Sequence, residues 1–196
     1  ARLDLEVALR RAIEEDQLLL YYQPKVRLDT GQLAGAEALL RWRHPVRGMV
    51  SPMQFVPLAE QTGLIIPLGE WVLQTACAQL AAWARSPDSA HLTLAVNVSA
   101  RQFRSPEFVV QVQNAIQQNG ADPRLLKLEL TESLLLTDSQ EAIMKMTALR
   151  SLGVRFALDD FGTGYSSLAY LKMFPISTLK IDRSFVKDIE TDPNDA

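Results

Sequence analysis

The 196 residues contain only one cysteine, Cys77, and only two histidines. A single thiol excludes an intramolecular disulfide, and its place in "TACAQLAAW" reads as a helix in a reducing compartment. Excess positive charge is also lacking, since 20 Lys and Arg against 23 Asp and Glu leave a net charge of −3. That excludes a wide groove for a DNA or RNA polymer, which needs clustered cations to displace counterions. A small anionic ligand held by a few cations stays allowed. Long hydrophobic runs are missing too: the most apolar, "GLIIPLG", is broken by Pro67 far short of membrane-spanning length, and no signal peptide opens the chain. The expectation is a soluble, cytoplasmic domain whose parent protein is free to be membrane-anchored.

What is present is an ordinary globular composition, 47% apolar and 22% charged, in a chain long enough for one sizeable core. Residues 1–196 read as one domain, with 1–17 as an entry or linker helix. In that segment Leu5, Ala8, Leu9, Ala12 and Ile13 fall at helical spacing. Ser51-Pro52-Met53-Gln54 and Asp138-Ser139-Gln140-Glu141 have capping-box spacing, Ser105-Pro106 places proline at a first helical position, and Asn119-Gly120 is a stop signal. Between the helices lie "LLLYYQPKV", "LAGAEALLRW", "LTLAVNVSA", "LKLELTES", "VRFALDD" and "TLKIDRSF". The first two, joined by "RLDTGQ", read as a hairpin. The rest alternate with helices, which predicts βα units and a parallel sheet.

Alternate side chains leave a strand on opposite faces. Leu126, Leu128 and Leu130 therefore oppose Lys127, Glu129 and Thr131, while Leu92, Leu94, Val96 and Val98 oppose Asn97. Val154, Phe156 and Leu158 oppose Asp159. Leu179 and Ile181 oppose Lys180 and Asp182. Ala36, Ala38 and Leu40 oppose Glu37, Leu39 and Arg41. Five strands thus aim polar groups away from the helix-packing side, near their C-terminal ends. An open sheet covered on both faces would want both faces apolar, whereas a closed barrel gathers such groups at its C-terminal mouth.

The convergent set is Glu37, Asn97, Glu129, Asp159 and Asp160, with Lys180 beside them. Every candidate ligand offers oxygen, and neither histidine is expected at a strand end, so the set suits Mg²⁺ or Mn²⁺ better than zinc or copper. The adjacent Asp159 and Asp160 can serve two cations, one bridging. Paired metals suit phosphodiester cleavage, with Lys180 orienting or deprotonating the water and Arg41 holding a phosphate oxygen. An Asp-Asp pair before glycine is by itself also compatible with a plain turn, and Asn97 with a backbone hydrogen bond. His44 reads as a loop or packing residue, Glu14-Glu15-Asp16 as a solvated helix end, and Trp42, Trp71 and Trp83 as core.

Together "AEALLRW", "NVS", "LELTES", "DDFGTGYSSL" and "LKID" resemble, in order and over essentially the whole chain, the EAL domain of bacterial cyclic di-GMP phosphodiesterases. The resemblance implies an α/β, TIM-like barrel with one antiparallel strand pair, and hydrolysis of cyclic di-GMP to linear pGpG with two Mg²⁺ or Mn²⁺ ions. It makes Glu37, Asn97, Glu129 and Asp159 ligands of one metal, and Asp159 with Asp160 ligands of the second. Lys180 contacts the nucleophilic water, and Gln23, Arg41 and Asp182 lie on the substrate side. Glu132 anchors the "DDFGTG" loop, through which a homodimer is expected. Upstream sensory or regulatory domains are expected in the parent protein. Six strand patterns are present where the family has eight, so the barrel is expected to lack its last two strands and one glutamate ligand. The alternative is a catalytically weak receptor for the nucleotide.

Overall fold

The computed structural model describes residues 2–132, 134, 139–161 and 172–181, without the side chains of Arg2, Asp160 and Phe161. The chain begins with helix α1 (Arg2–Glu14), whose predicted stripe is real: Leu9 and Ala12 are fully buried, and Leu5, Ala8 and Ile13 pack partly beside them. Strands β1 (Leu18–Val26) and β2 (Leu33–His44) form the expected antiparallel hairpin, running from Leu18 opposite Trp42 to Val26 opposite Leu33. Gly31 turns it at φ 69°, and Arg27 pairs with Asp29 at 2.8 Å.

A short strand, β3 (Gly48–Val50), folds back on the end of β2 and was not expected. It extends β2 to His44, so one histidine does end a strand. His44 Nδ1 accepts hydrogen bonds from the Val46 and Arg47 backbone amides at 3.1 and 3.2 Å. It therefore shapes a turn, as a loop residue would.

Helix α2 (Pro52–Thr62) starts where the capping pattern predicts, Ser51 Oγ accepting from Met53 N at 3.3 Å. Helix α3 (Ile65–Trp83) follows, and Cys77 is buried in it. After β4 (Thr93–Asn97), a short helix α4 (Ala100–Arg104) is capped by Ser99. The Ser105-Pro106 reading needs correction. Ser105 ends α4, its amide donating to Gln102 O at 3.1 Å, and α5 (Phe108–Asn119) starts two residues after the proline. Gly120 stops α5 at φ 65°, as predicted. A 3₁₀ turn (Pro123–Leu125), β5 (Leu126–Thr131), helix α6 (Ser139–Leu152), β6 (Arg155–Phe161) and β7 (Thr178–Ile181) complete the described chain. Asp138, the expected cap of α6, lies outside the described residues.

The sheet runs β1-β2-β4-β5-β6-β7, parallel from β2 onward, with β3 on β2. It is not closed among the described residues, where β1 and β7 are its edges. It is nevertheless curled. Four strand spacings of about 4.8 Å would separate β2 from β7 by about 19 Å in a flat sheet, yet Lys180 Nζ reaches Glu37 Oε2 at 3.2 Å. The convex face carries Leu94, Val96, Leu126, Leu128, Leu130, Phe156 and Leu158, all buried with residues of α3, α5 and α6. A second cluster joins α1, α2 and the start of α3 around Trp42 and Phe55, whose rings meet edge to face at 5.6 Å. One part of the parity reading differs: Leu179 and Ile181 are 43% and 63% exposed. They lie on the edge strand of the described sheet, which β6 alone borders.

Gly35 sets how closely β2 and β4 approach. A Cβ there would run into the backbone oxygen and side chain of Thr93 on the neighbouring strand.

Candidate active site

The concave face gathers side chains from strands far apart in sequence. Register aligns them: Glu37 lies opposite Ala95, Asn97 opposite Glu129, and Thr131 opposite Asp159. Small buried neighbours, Ala95 and Ala157, leave room for the larger polar groups. Lys180, on β7, donates to Glu37 Oε2 at 3.2 Å, Glu129 Oε2 at 2.6 Å and Asp159 Oδ2 at 3.0 Å. Asn97 Nδ2 donates to Glu37 Oε1 at 2.9 Å, so its partner is a site carboxylate.

The Glu129 side chain has no solvent exposure. Burying a carboxylate so deeply is costly without opposite charge in contact, and it has two such contacts. One is Lys180. The other is Lys25, whose Nζ lies 2.7 Å from Glu129 Oε1 and 3.4 Å from Glu37 Oε2. Sequence reasoning missed Lys25. The available signal was its parity with Gln23 on a strand hairpinned to the Glu37 strand, since Gln23 pairs with Glu37 and Lys25 with Gly35.

These contacts set the protonation states. Burial pushes the Glu37 carboxyl up, but the hydrogen bond from Asn97 and the charges of Lys180 and Lys25 overcome it and hold the group below its ordinary value. Burial works against the Lys180 ammonium as well. Its bonds to Glu129 and Asp159, with the charges of Glu129 and Glu37, outweigh that and hold it above the usual lysine range. Lys127, one step down the same face of β5, is pushed the other way by burial and the charge of Lys25.

Beside the cluster a cleft of about 290 Å³ opens between the ends of β2, β4 and β5 and helices α2 and α3. Arg41, Asn97, Glu129 and Thr131 are on its polar side, and Ile65, Leu68 and Val72 on its apolar side. Arg41 Nη1 donates to Leu40 O at 2.8 Å, and its guanidinium lies 5.5 Å from the Tyr21 ring centre. Gln23 is exposed on β1. Glu132 is buried just past the end of β5. The glycine loop it was expected to hold, Asp182 and the Asp160 side chain lie outside the described residues.

The structure thus brings together Glu37, Asn97, Glu129, Asp159 and Lys180, and adds Lys25. The donors are carboxylate and amide oxygens, which fit a hard divalent cation. Among the described residues no group of three His, Cys, Asp or Glu is spaced as a metal site. Lys180 Nζ stands at the point on which the three carboxylates converge.

A sequence profile of the EAL domain matches residues 6–196. MucR of Pseudomonas aeruginosa, a bifunctional diguanylate cyclase/cyclic di-GMP phosphodiesterase, is 48% identical over 190 residues, which are 96% of this chain and 27% of MucR. The uncharacterized protein sll1895 of Synechocystis is 46% identical over 195 residues, 100% of this chain and 28% of that protein. The chain therefore spans a little over a quarter of the length of these relatives. Among solved structures, a PaMucR phosphodiesterase in complex with c-di-GMP superimposes with a TM-score of 0.92 at 47% identity, covering 98% of this chain and 77% of the other. The FimX EAL domain of Xanthomonas citri in complex with c-diGMP does so with a TM-score of 0.86 at 28% identity, covering 99% and 75%.

Proposed function

Since this chain belongs to the EAL-domain family, we propose that it hydrolyses cyclic di-GMP to linear pGpG. The observation that carries the reading is the meeting of Glu37, Glu129 and Asp159 around Lys180, beside a cleft that reaches Arg41.

The oxygen of water bonds to phosphorus and gives up a proton, the bond from phosphorus to the 3′ oxygen breaks, that oxygen takes up a proton as a hydroxyl, and the opened ring keeps its phosphate on the 5′ side. Glu37, Asn97, Glu129 and Asp159 would hold a divalent cation, Mg²⁺ or Mn²⁺, with Asp160 the candidate for a second. Such cations supply Lewis acidity, easing deprotonation of water and offsetting phosphate charge. The protein's own groups do the rest. Lys180 ties the carboxylates of three strands into one arrangement and presents an ammonium to the attacking water. Arg41 places a guanidinium for a phosphate oxygen. Ile65, Leu68 and Val72 offer an apolar wall to the flat part of a nucleotide.

One observation favours binding without turnover. Three carboxylates meet two ammonium groups, leaving a residual charge of about −1 and less pull on a divalent cation than three free carboxylates would exert. Incubating the purified chain with cyclic di-GMP and Mg²⁺ or Mn²⁺, and following linear product by chromatography, separates the two readings. Product that disappears in Glu129→Gln supports the hydrolase. Nucleotide binding without product assigns the chain as a receptor.

The relatives are far longer than this chain, which fits further domains in the parent protein, with α1 as the segment leading in from them. The loop after Asp160 is the proposed dimer contact and lies outside the described residues. No described helix is long and apolar enough to cross a membrane.

A further inference from the structure

Lys25 takes no part in the hydrolytic step proposed above, yet it makes one of the shortest ion pairs in the site. We propose that Lys25 is the built-in counter-ion of Glu129: in the metal-free domain it supplies positive charge that a divalent cation brings on loading, and it withdraws to solvent when the cation arrives. The inference rests on the cation-binding reading above.

Three observations lead to it. First, Glu129 is wholly shielded from solvent, so each of its oxygens needs a partner, and Lys25 holds Oε1 while Lys180 holds Oε2. Without a cation and without Lys25, one oxygen of a buried carboxylate would be left bare.

Second, the two lysines are held unequally. Lys180 is bonded to three carboxylates and 27% exposed, whereas Lys25 bonds to Glu129, lies farther from Glu37, and keeps 36% of its side chain in solvent. A flexible four-carbon stem with an open side can swing out, and its ammonium is readily rehydrated.

Third, positive charge is already crowded on this side of the sheet. Lys127 lies two residues before Glu129 on the same face of β5, and Arg155 is directly opposite Lys127 in register. Adding a dication at Glu129 raises the repulsion further, and the least restrained cation is the one to leave.

The test uses the whole chain as wild type, Lys25→Met and Lys25→Arg, with thermal melting and calorimetric Mn²⁺ titration in the absence of nucleotide. Lys25→Met is expected to melt lower when metal-free and to bind Mn²⁺ about tenfold more tightly, because a unit charge a few ångströms away has gone. Saturating Mn²⁺ then closes most of the melting gap, since tighter binding to the folded state stabilises it more. Lys25→Arg restores both properties. Should Lys25→Met not fold, Lys25→Gln, neutral but still able to donate to Glu129, is put through the same measurements. Unchanged or weaker Mn²⁺ binding in the neutral variant, or a melting deficit that persists at saturation, overturns the proposal and leaves Lys25 a packing residue. If wild type itself binds no Mn²⁺, both the counter-ion role and the metal-dependent reading fall. If wild type binds and only the expected gain is missing, the metal reading stands alone.

Discussion

Lys180 Nζ donates to Glu129 Oε2 at 2.6 Å, and the Glu129 side chain is closed to solvent while that of Lys180 is 27% exposed. The pair is therefore asymmetric: losing Lys180 leaves one oxygen of a carboxylate that water cannot reach without its partner, with Lys25 still on the other, whereas losing the glutamate frees a lysine that water can reach. Lys180→Met is expected to destabilise the metal-free domain by about 2–3 kcal/mol, less than the ~3–5 kcal/mol of a fully buried pair. Glu129→Gln should cost less stability while abolishing turnover. Urea denaturation of both variants, beside their rates of pGpG formation, checks the order.

Stability of the metal-free domain should fall at both ends of the pH scale. Folded Glu37 binds its proton less readily than the unfolded chain, with an ordinary carboxyl value of 4.5, so its contribution is full above that value and is lost as pH falls through the lower folded one. Lys180 is raised from an ordinary value of 10.5, so its contribution is full below that value and is lost as pH rises through the folded one. Urea midpoints should form a plateau between about pH 5 and pH 10. Glu37→Gln should flatten the acid flank and Lys180→Met the alkaline flank. Identical profiles in all three proteins would place the charge-dependent stability elsewhere.

Gly35→Ala should destabilise the domain by about 1–3 kcal/mol, the usual cost of forcing a methyl group into filled space. The obstruction includes a backbone oxygen of Thr93, so trimming the Thr93 side chain should recover only part of the loss. A double-mutant comparison of melting temperatures measures that fraction.

Arg41→Ala should weaken cyclic di-GMP binding about tenfold, as loss of one charge-assisted contact would, with a smaller effect on the saturated rate. Arg41 lines the cleft, and its guanidinium bonds to Leu40 O beside the Tyr21 ring. A rise in KM with kcat nearly constant supports the assignment, and a fall in kcat alone refutes it.

Mg²⁺ or Mn²⁺ should support hydrolysis and Ca²⁺ should not, because calcium prefers longer bonds and more ligands than a tight arrangement tolerates. Chelation should abolish product formation, and stepwise return of each ion ranks them.

Strand parity exposed most of this site to sequence reading, because a period of two fixes which residues share a face. Asn97, Glu129, Asp159 and Lys180 alternate with Leu, Val and Phe, and the structure puts them where that alternation places them. Lys25 escaped because its significance depends on curvature, which brings β1 and β5 together across the concave face, and no local pattern encodes curvature. The start of α5 was misplaced because Ser105-Pro106 fits the end of one helix as well as the start of another. Strand β3 was missed because three residues, Gly48 to Val50, are too few to show a period. Leu179 and Ile181 look like core on parity alone. Whether such residues are covered depends on the neighbours of an edge strand, which the strand's own sequence does not contain.

The bond between Glu37 and Lys180 joins residues 143 positions apart. Contacts of such long range are costly to close during folding. Strands β1, β2, β4 and β5 by themselves face Glu37 toward Glu129 with Lys25 as the one of the two pairing lysines that they carry. Only when β7 docks do the carboxylates acquire their central cation. The acidic cluster is therefore complete only once segments from both ends of the described chain have met.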